Sequence, residues 1–127
     1  MKEQQLFDHL RETRFPDLRR SEGQFDTFDC ISDEKAAFIE LKCRNTHYDE
    51  LLIEKKKYDR LLIEAHQREL EPWYINSTPL GKWAFHLSML PEPMWEERWL
   101  PITTEFANNL KTRKIVGFIH ITYGLSV

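Results

Sequence analysis

Three charged side chains stand in this sequence at a spacing that suits chemistry on a phosphate. Asp29 lies in the short run Phe28-Asp29-Cys30-Ile31. Glu40 and Lys42 lie in Phe38-Ile39-Glu40-Leu41-Lys42. Ser32-Asp33-Glu34-Lys35 between them reads as a turn, so the two runs predict a β-hairpin. Two carboxylates and an ammonium on one sheet face are costly unless something binds among them. A divalent metal with a phosphate beside it meets that need. The grouping therefore points to cleavage of a phosphodiester bond. Asp29 and Glu40 would supply metal ligands, and the Leu41 backbone carbonyl, between Glu40 and Lys42, another. Lys42 would orient the attacking water or stabilise charge growing on the phosphorus.

Register decides which acid faces Glu40, because side chains alternate across a strand. A two- or four-residue loop, pairing Ser32 with Lys35 or Ile31 with Ala36, puts Asp29, Phe38, Glu40 and Lys42 on one face. The other face then carries Phe28, Cys30, Ala37, Ile39, Leu41 and Cys43. These sets are expected to be a polar cluster and a core face. A three- or five-residue loop would turn Asp29 toward the apolar side and bring Asp26 beside Glu40. Burying Asp29 there without a partner would cost several kcal/mol, which favours Asp29, with Asp26 as runner-up.

The elements that must position these groups follow from periodicity. The chain of 127 residues matches one domain, 1–127, and is long enough to bury a core. Residues 3–14 predict a helix with Leu6, Phe7 and Leu10 on one stripe, ended before Pro16. Residues 25–31 and 36–43 predict the hairpin strands. Residues 47–69 predict the longest helix, capped by Asn45 or Thr46. Residues 73–77 and 82–88 predict strands around a turn at 78–81. Residues 89–113 read as irregular, and 114–122 as a last strand, at a sheet edge. The expected class is α/β (α+β), a mixed sheet flanked by helices in the order αββαβββ.

Composition narrows the setting. No apolar run is long enough to span a membrane, and no signal-peptide core precedes the first helix. The two cysteines suit a reduced, cytoplasmic protein better than a disulfide scaffold. The net charge of −3 argues mildly against nucleic acid. Yet thirteen of the eighteen Lys and Arg fall in residues 1–68, around the hairpin. Arg14, Arg19, Arg20 and Arg44 are candidate phosphate contacts. The histidines have no metal-ligand spacing. Cys30 and Cys43, on the core face, read as inert thiols. The four tryptophans read as core or dimer-contact residues before base-stacking ones.

Asp29 followed by Ile39-Glu40-Leu41-Lys42 resembles the PD-(D/E)XK nuclease superfamily, the restriction-endonuclease-like fold. The longer run through Cys43-Arg44-Asn45-Thr46-His47-Tyr48 and Leu51 to Tyr58, with Tyr74 to Pro79 and Trp83-Ala84-Phe85, is similar to small members encoded by tailed phages. The resemblance implies an αβββαβ core, dependence on Mg²⁺ (with Mn²⁺ as a substitute), DNA as substrate and, for a phage protein, the host cytoplasm. It places Asp29 and Glu40 as metal ligands and Lys42 as the catalytic lysine. Phe28 replaces the proline usual before the first acid, which leaves Asp26 open. The family's extra helix glutamate would be Glu3 or Glu12, and a basic residue lent by the second helix would be Lys57. Lys55 and Lys56 would join Arg44 in contacting DNA. The implied activity is a metal-dependent endodeoxyribonuclease. The alternatives are a Holliday-junction resolvase acting as a homodimer, and a non-catalytic DNA- or protein-binding module on the same fold.

Overall fold

The computed structural model describes residues 1–21, 28–101 and 110–127. Asp26 lies outside the described residues. Helix α1 (Glu3–Thr13) precedes strands β1 (Arg19–Arg20), β2 (Phe28–Ser32), β3 (Ala37–Cys43) and β4 (Glu50–Glu54). Helix α2 (Lys55–Gln67) leads into β5 (Glu71–Thr78) and β6 (Gly81–His86). Strands β7 (Glu96–Pro101), β8 (Lys111–His120) and β9 (Leu125–Ser126) follow, with short 3-10 turns at Leu87–Met89 and Ile121–Tyr123.

Two sheets result. The larger has the order β1-β2-β3-β5-β6-β9, with β3 and β5 parallel and every other pair antiparallel. The smaller is an antiparallel β4-β8-β7 sheet. The parallel β3–β5 step needs a crossover, and β4 with α2 supplies it.

Both faces of the larger sheet are covered. Leu6, Phe7 and Leu10 recur at one helical stripe of α1 and pack on Cys30, Ile39, Leu41, Ile75 and Ala84. Tyr58, Leu61 and Ala65 do the same for α2, against Ile31, Phe38, Tyr74 and Phe85 and against Leu51 and Ile53 of the smaller sheet. The face expected to be a polar cluster is thus half apolar. Ile31, Phe38 and Tyr74 continue the core directly up to Asp29 and Glu40.

The helix expected over 47–69 begins only at Lys55. Residues 50–54 alternate instead, with Leu51 and Ile53 buried, and pair with β8. Leu51-Leu52-Ile53 is too short an apolar run for periodicity to separate helix from strand, and β8 offers unpaired backbone that decides it. The N-cap of α2 is therefore Glu54, not Asn45 or Thr46. Residues 96–101 form a strand within the stretch expected to be irregular. The last long strand, β8, lies at the centre of its sheet rather than at an edge.

Candidate active site

The hairpin register sets the geometry. Ser32 pairs with Ala37, so residues 33–36 form a four-residue connection and Asp29 stands directly opposite Glu40. The parity matches the sequence expectation, but the pairing is displaced by two residues from a closure of Ile31 on Ala36. Local chemistry explains the closure. Asp17 accepts from the Ser32 hydroxyl at 2.6 Å and from the Glu34 amide at 2.9 Å. Ala36 adopts φ 52°, its amide donates to the Asp33 carbonyl, and its own carbonyl accepts from Glu71. The turn is thereby tied to the start of β5.

Asp29 is 3% exposed and Glu40 4%. Lys42 lies half-buried two residues along the same face, beside Asn76 in the β3–β5 ladder. Leu41 points to the opposite face and packs under α1. Burial raises the Glu40 carboxyl above its ordinary value, and Asp29 adds to that rise. The charges of Arg60, Lys57 and Lys42 oppose it. Burial lowers the Lys42 ammonium, helped by Lys57 and Arg44 and opposed by Glu3 and Glu40.

Arg60, which sequence reasoning did not single out, reaches down from α2 between the two carboxylates. Its Nη1 lies 3.0 Å from Asp29 Oδ2, and its Nη2 lies 3.4 Å from Asp29 Oδ1 and 3.3 Å from Glu40 Oε1. Nη1 also donates to Glu64 Oε2 at 2.5 Å. Burial works against the charge on Arg60, but Asp29, Glu40 and Glu64 outweigh it and raise its pKa further. Glu40 Oε2 is buried and has no hydrogen-bond partner among the described residues. A signal for Arg60 exists in the sequence. Residues 57, 60 and 64 fall at i, i+3 and i+7, one face of the helix.

The other candidates divide by position. Lys57 bonds Glu54 at 3.3 Å, and its charge reaches both Glu40 and Lys42. Glu3 acts on Lys42 electrostatically from the first turn of α1. Glu12 is exposed near the other end of that helix, nine residues on and so about 13 Å away. Arg44 is held inside, donating to Asn76 Oδ1 at 2.7 Å, the Leu52 carbonyl at 2.5 Å and the Tyr74 hydroxyl at 3.1 Å. Lys55 pairs with Asp59, while Lys56 is exposed. Arg14 donates to the Ser126 carbonyl, Arg19 pairs with Asp33, and Arg20 lies 3.5 Å over the Phe28 ring. These three are exposed. Burial raises the thiol pKa of Cys30 far above its ordinary value and pushes that of Cys43 up to about 11.

The donor set fits a hard divalent ion. Asp29 and Glu40 present carboxylate oxygens from facing positions, and Glu40 Oε2 has no hydrogen-bond partner among the described residues. Mg²⁺ is commonly held by one or two carboxylates with water completing its shell. No group of three or more His, Cys, Asp or Glu side chains placed for a metal occurs among the described residues.

No family model and no curated protein matches the sequence. A solved structure does match the fold: Archaeoglobus fulgidus Hjc, a Holliday junction resolvase from an archaeal hyperthermophile. The TM-score is 0.61 at 16% identity, over 98% of this chain and 92% of that one. The fold is restriction-endonuclease-like. The mixed sheet between α1 and α2 is the frame expected from the hairpin motif. Among the described residues, no helix is long and apolar enough to cross a membrane.

Proposed function

We propose that this protein is a metal-dependent deoxyribonuclease that cleaves branched DNA, a four-way junction above all, as a homodimer. The observation that carries the reading is the placement of Asp29 opposite Glu40, with Lys42 on the same face, in a restriction-endonuclease-like frame. Likeness of fold to a Holliday junction resolvase supports junction DNA over unbranched duplex. A junction presents two symmetric strands to cut, which suits two copies related by a two-fold axis.

Asp29, Glu40 and the Leu41 carbonyl would hold Mg²⁺, with Glu3 as an auxiliary acid. The bound ion would supply charge neutralisation and an acidified water. Lys42, its charge weakened by burial, would donate to a phosphate oxygen or hold the attacking water in line. Lys57 would add positive potential from α2. Lys56, exposed beside it, would contact the DNA backbone.

One observation favours a non-catalytic DNA- or protein-binding module instead: Arg60 already partly neutralises the two carboxylates. A cleavage assay separates the readings. Four-way junction, linear duplex and supercoiled DNA are incubated with Mg²⁺, Mn²⁺ or EDTA, with the wild-type protein and Lys42→Ala. Metal-dependent junction cleavage, lost in Lys42→Ala, is expected. Absence of metal-dependent cleavage on every substrate, or full activity in the variant, overturns the nuclease reading. A monomer that cuts linear duplex as well as junctions overturns the resolvase reading alone.

A further inference from the structure

Arg60 is bound unevenly. Its bonds to Asp29 and Glu40 run from 3.0 to 3.4 Å, longer than the ~2.7–2.9 Å usual between a guanidinium and a carboxylate. Its bond to Glu64, one helical turn away on α2, is 2.5 Å. The arginine thus has one contact within its own helix and three longer ones to the sheet acids. It also leaves Glu40 incompletely satisfied, since Oε2 is buried and has no hydrogen-bond partner among the described residues. A buried carboxylate oxygen in that state is expensive, and a better-fitting cation would be favoured there.

We propose that Arg60 is a built-in cation that competes with a divalent metal for Asp29 and Glu40, with Glu64 retaining the arginine when metal displaces it. A doubly charged ion between the two carboxylates would stand within a few ångströms of the guanidinium, and like charges at that distance exclude each other. The Arg60 side chain is 22% exposed, so it has an edge to leave by. Because Arg60 and Glu64 share one helix, their bond survives the movement. The arginine offsets the charge of the paired acids without metal, and metal loading must overcome it.

The inference rests on the metal-dependent reading, and its test needs no DNA. Mn²⁺ binding is followed by electron paramagnetic resonance for the wild type, Arg60→Gln and Arg60→Lys. Arg60→Gln is expected to bind at least tenfold more tightly than wild type, with Arg60→Lys between them. In wild-type protein with ¹⁵N-labelled arginine, the Arg60 Nε–H signal should shift with Mg²⁺ saturation while the Arg44 signal holds. That measurement decides the matter even if Arg60→Gln does not fold. Unchanged or weaker Mn²⁺ binding in Arg60→Gln, or an Arg60 signal that stays fixed as Mg²⁺ binds, overturns the inference. Failure of every form to bind metal overturns both it and the metal-dependent reading. Tighter binding in Arg60→Gln without cleavage of any DNA leaves the competition standing and removes the nuclease.

Discussion

Asp29 and Glu40 are direct cross-strand partners in the β2–β3 ladder, and both are nearly inaccessible to solvent. Like charges placed opposite one another on a sheet destabilise it. Arg60 offsets this, but Glu40 still has a raised pKa, led by burial. If this pair holds the metal as proposed, function and stability pull in opposite directions here.

Glu40→Gln tests that opposition. Glutamine keeps the shape and can still accept from Arg60, while one buried negative charge disappears. The variant should gain roughly 1 kcal/mol, a rise in Tm of about 3–6 °C without metal. It should also lose all metal-dependent cleavage. A lower Tm would mean that the ion pair with Arg60 outweighs the repulsion with Asp29.

The hairpin and its facing acids were legible because parity needs only a turn length of the right evenness, and Cys30, Ile39 and Leu41 fix the apolar side. The exact pairing was not legible, since it depends on Asp17, twelve residues before Asp29, gripping the turn. The strand at 50–54 was hidden for a similar reason. Its partner β8 lies some sixty residues on, and nothing local distinguishes Leu51-Leu52-Ile53 from the helix that follows. The stripe of Lys57, Arg60 and Glu64 falls on one face wherever the helix begins, but nothing in the sequence says that this face turns toward Asp29 and Glu40. Arg44 shows a structural tie that its position in the sequence does not announce. As a basic residue just after the motif it reads as a phosphate contact, and in the fold Leu52 of β4 and Tyr74 and Asn76 of β5 hold it in a polar network.

Arg44→Met should therefore act on stability. It leaves Asn76 Oδ1, the Leu52 carbonyl and the Tyr74 hydroxyl short of their donor. The cost should be about 2–4 kcal/mol, read as a lower urea midpoint. Lys56→Ala should do the reverse. It leaves the midpoint in place and weakens DNA binding, with a salt dependence shallower by about one counterion. A fall in DNA affinity for Arg44→Met with unchanged stability would restore its role as a contact.

Asp17 makes the hairpin turn sensitive to acid. The Ser32 hydroxyl and then the Glu34 amide hold its carboxyl below its ordinary value. A depressed carboxyl contributes stability above the unfolded-state value, and that contribution is lost as pH falls through the folded-state value. Asp17→Asn should thus be less stable than wild type near neutrality. The two stability curves should converge at strongly acid pH, which urea denaturation across a pH series would record. Parallel curves down to the acid limit would assign the sensitivity elsewhere.

Gly117 governs how the smaller sheet supports α2. It lies opposite Ile53 in the β4–β8 ladder, and a Cβ there would sit 2.6 Å from Pro93 Cβ and 3.1 Å from the Trp95 ring. Neither ring can yield easily. Trp95 packs edge-on against Tyr58 at 5.2 Å, and Lys55 lies 5.6 Å over it. Both partners are in the first turn of the helix that carries Arg60. Gly117→Ala should push the Pro93–Trp95 segment outward and cost about 1–3 kcal/mol by overpacking. Pro93→Gly removes the atom that clashes most, so the double variant should recover part of the loss. A thermodynamic cycle over the four proteins measures the coupling directly. Additive losses would mean that Pro93 is not what the new methyl group meets.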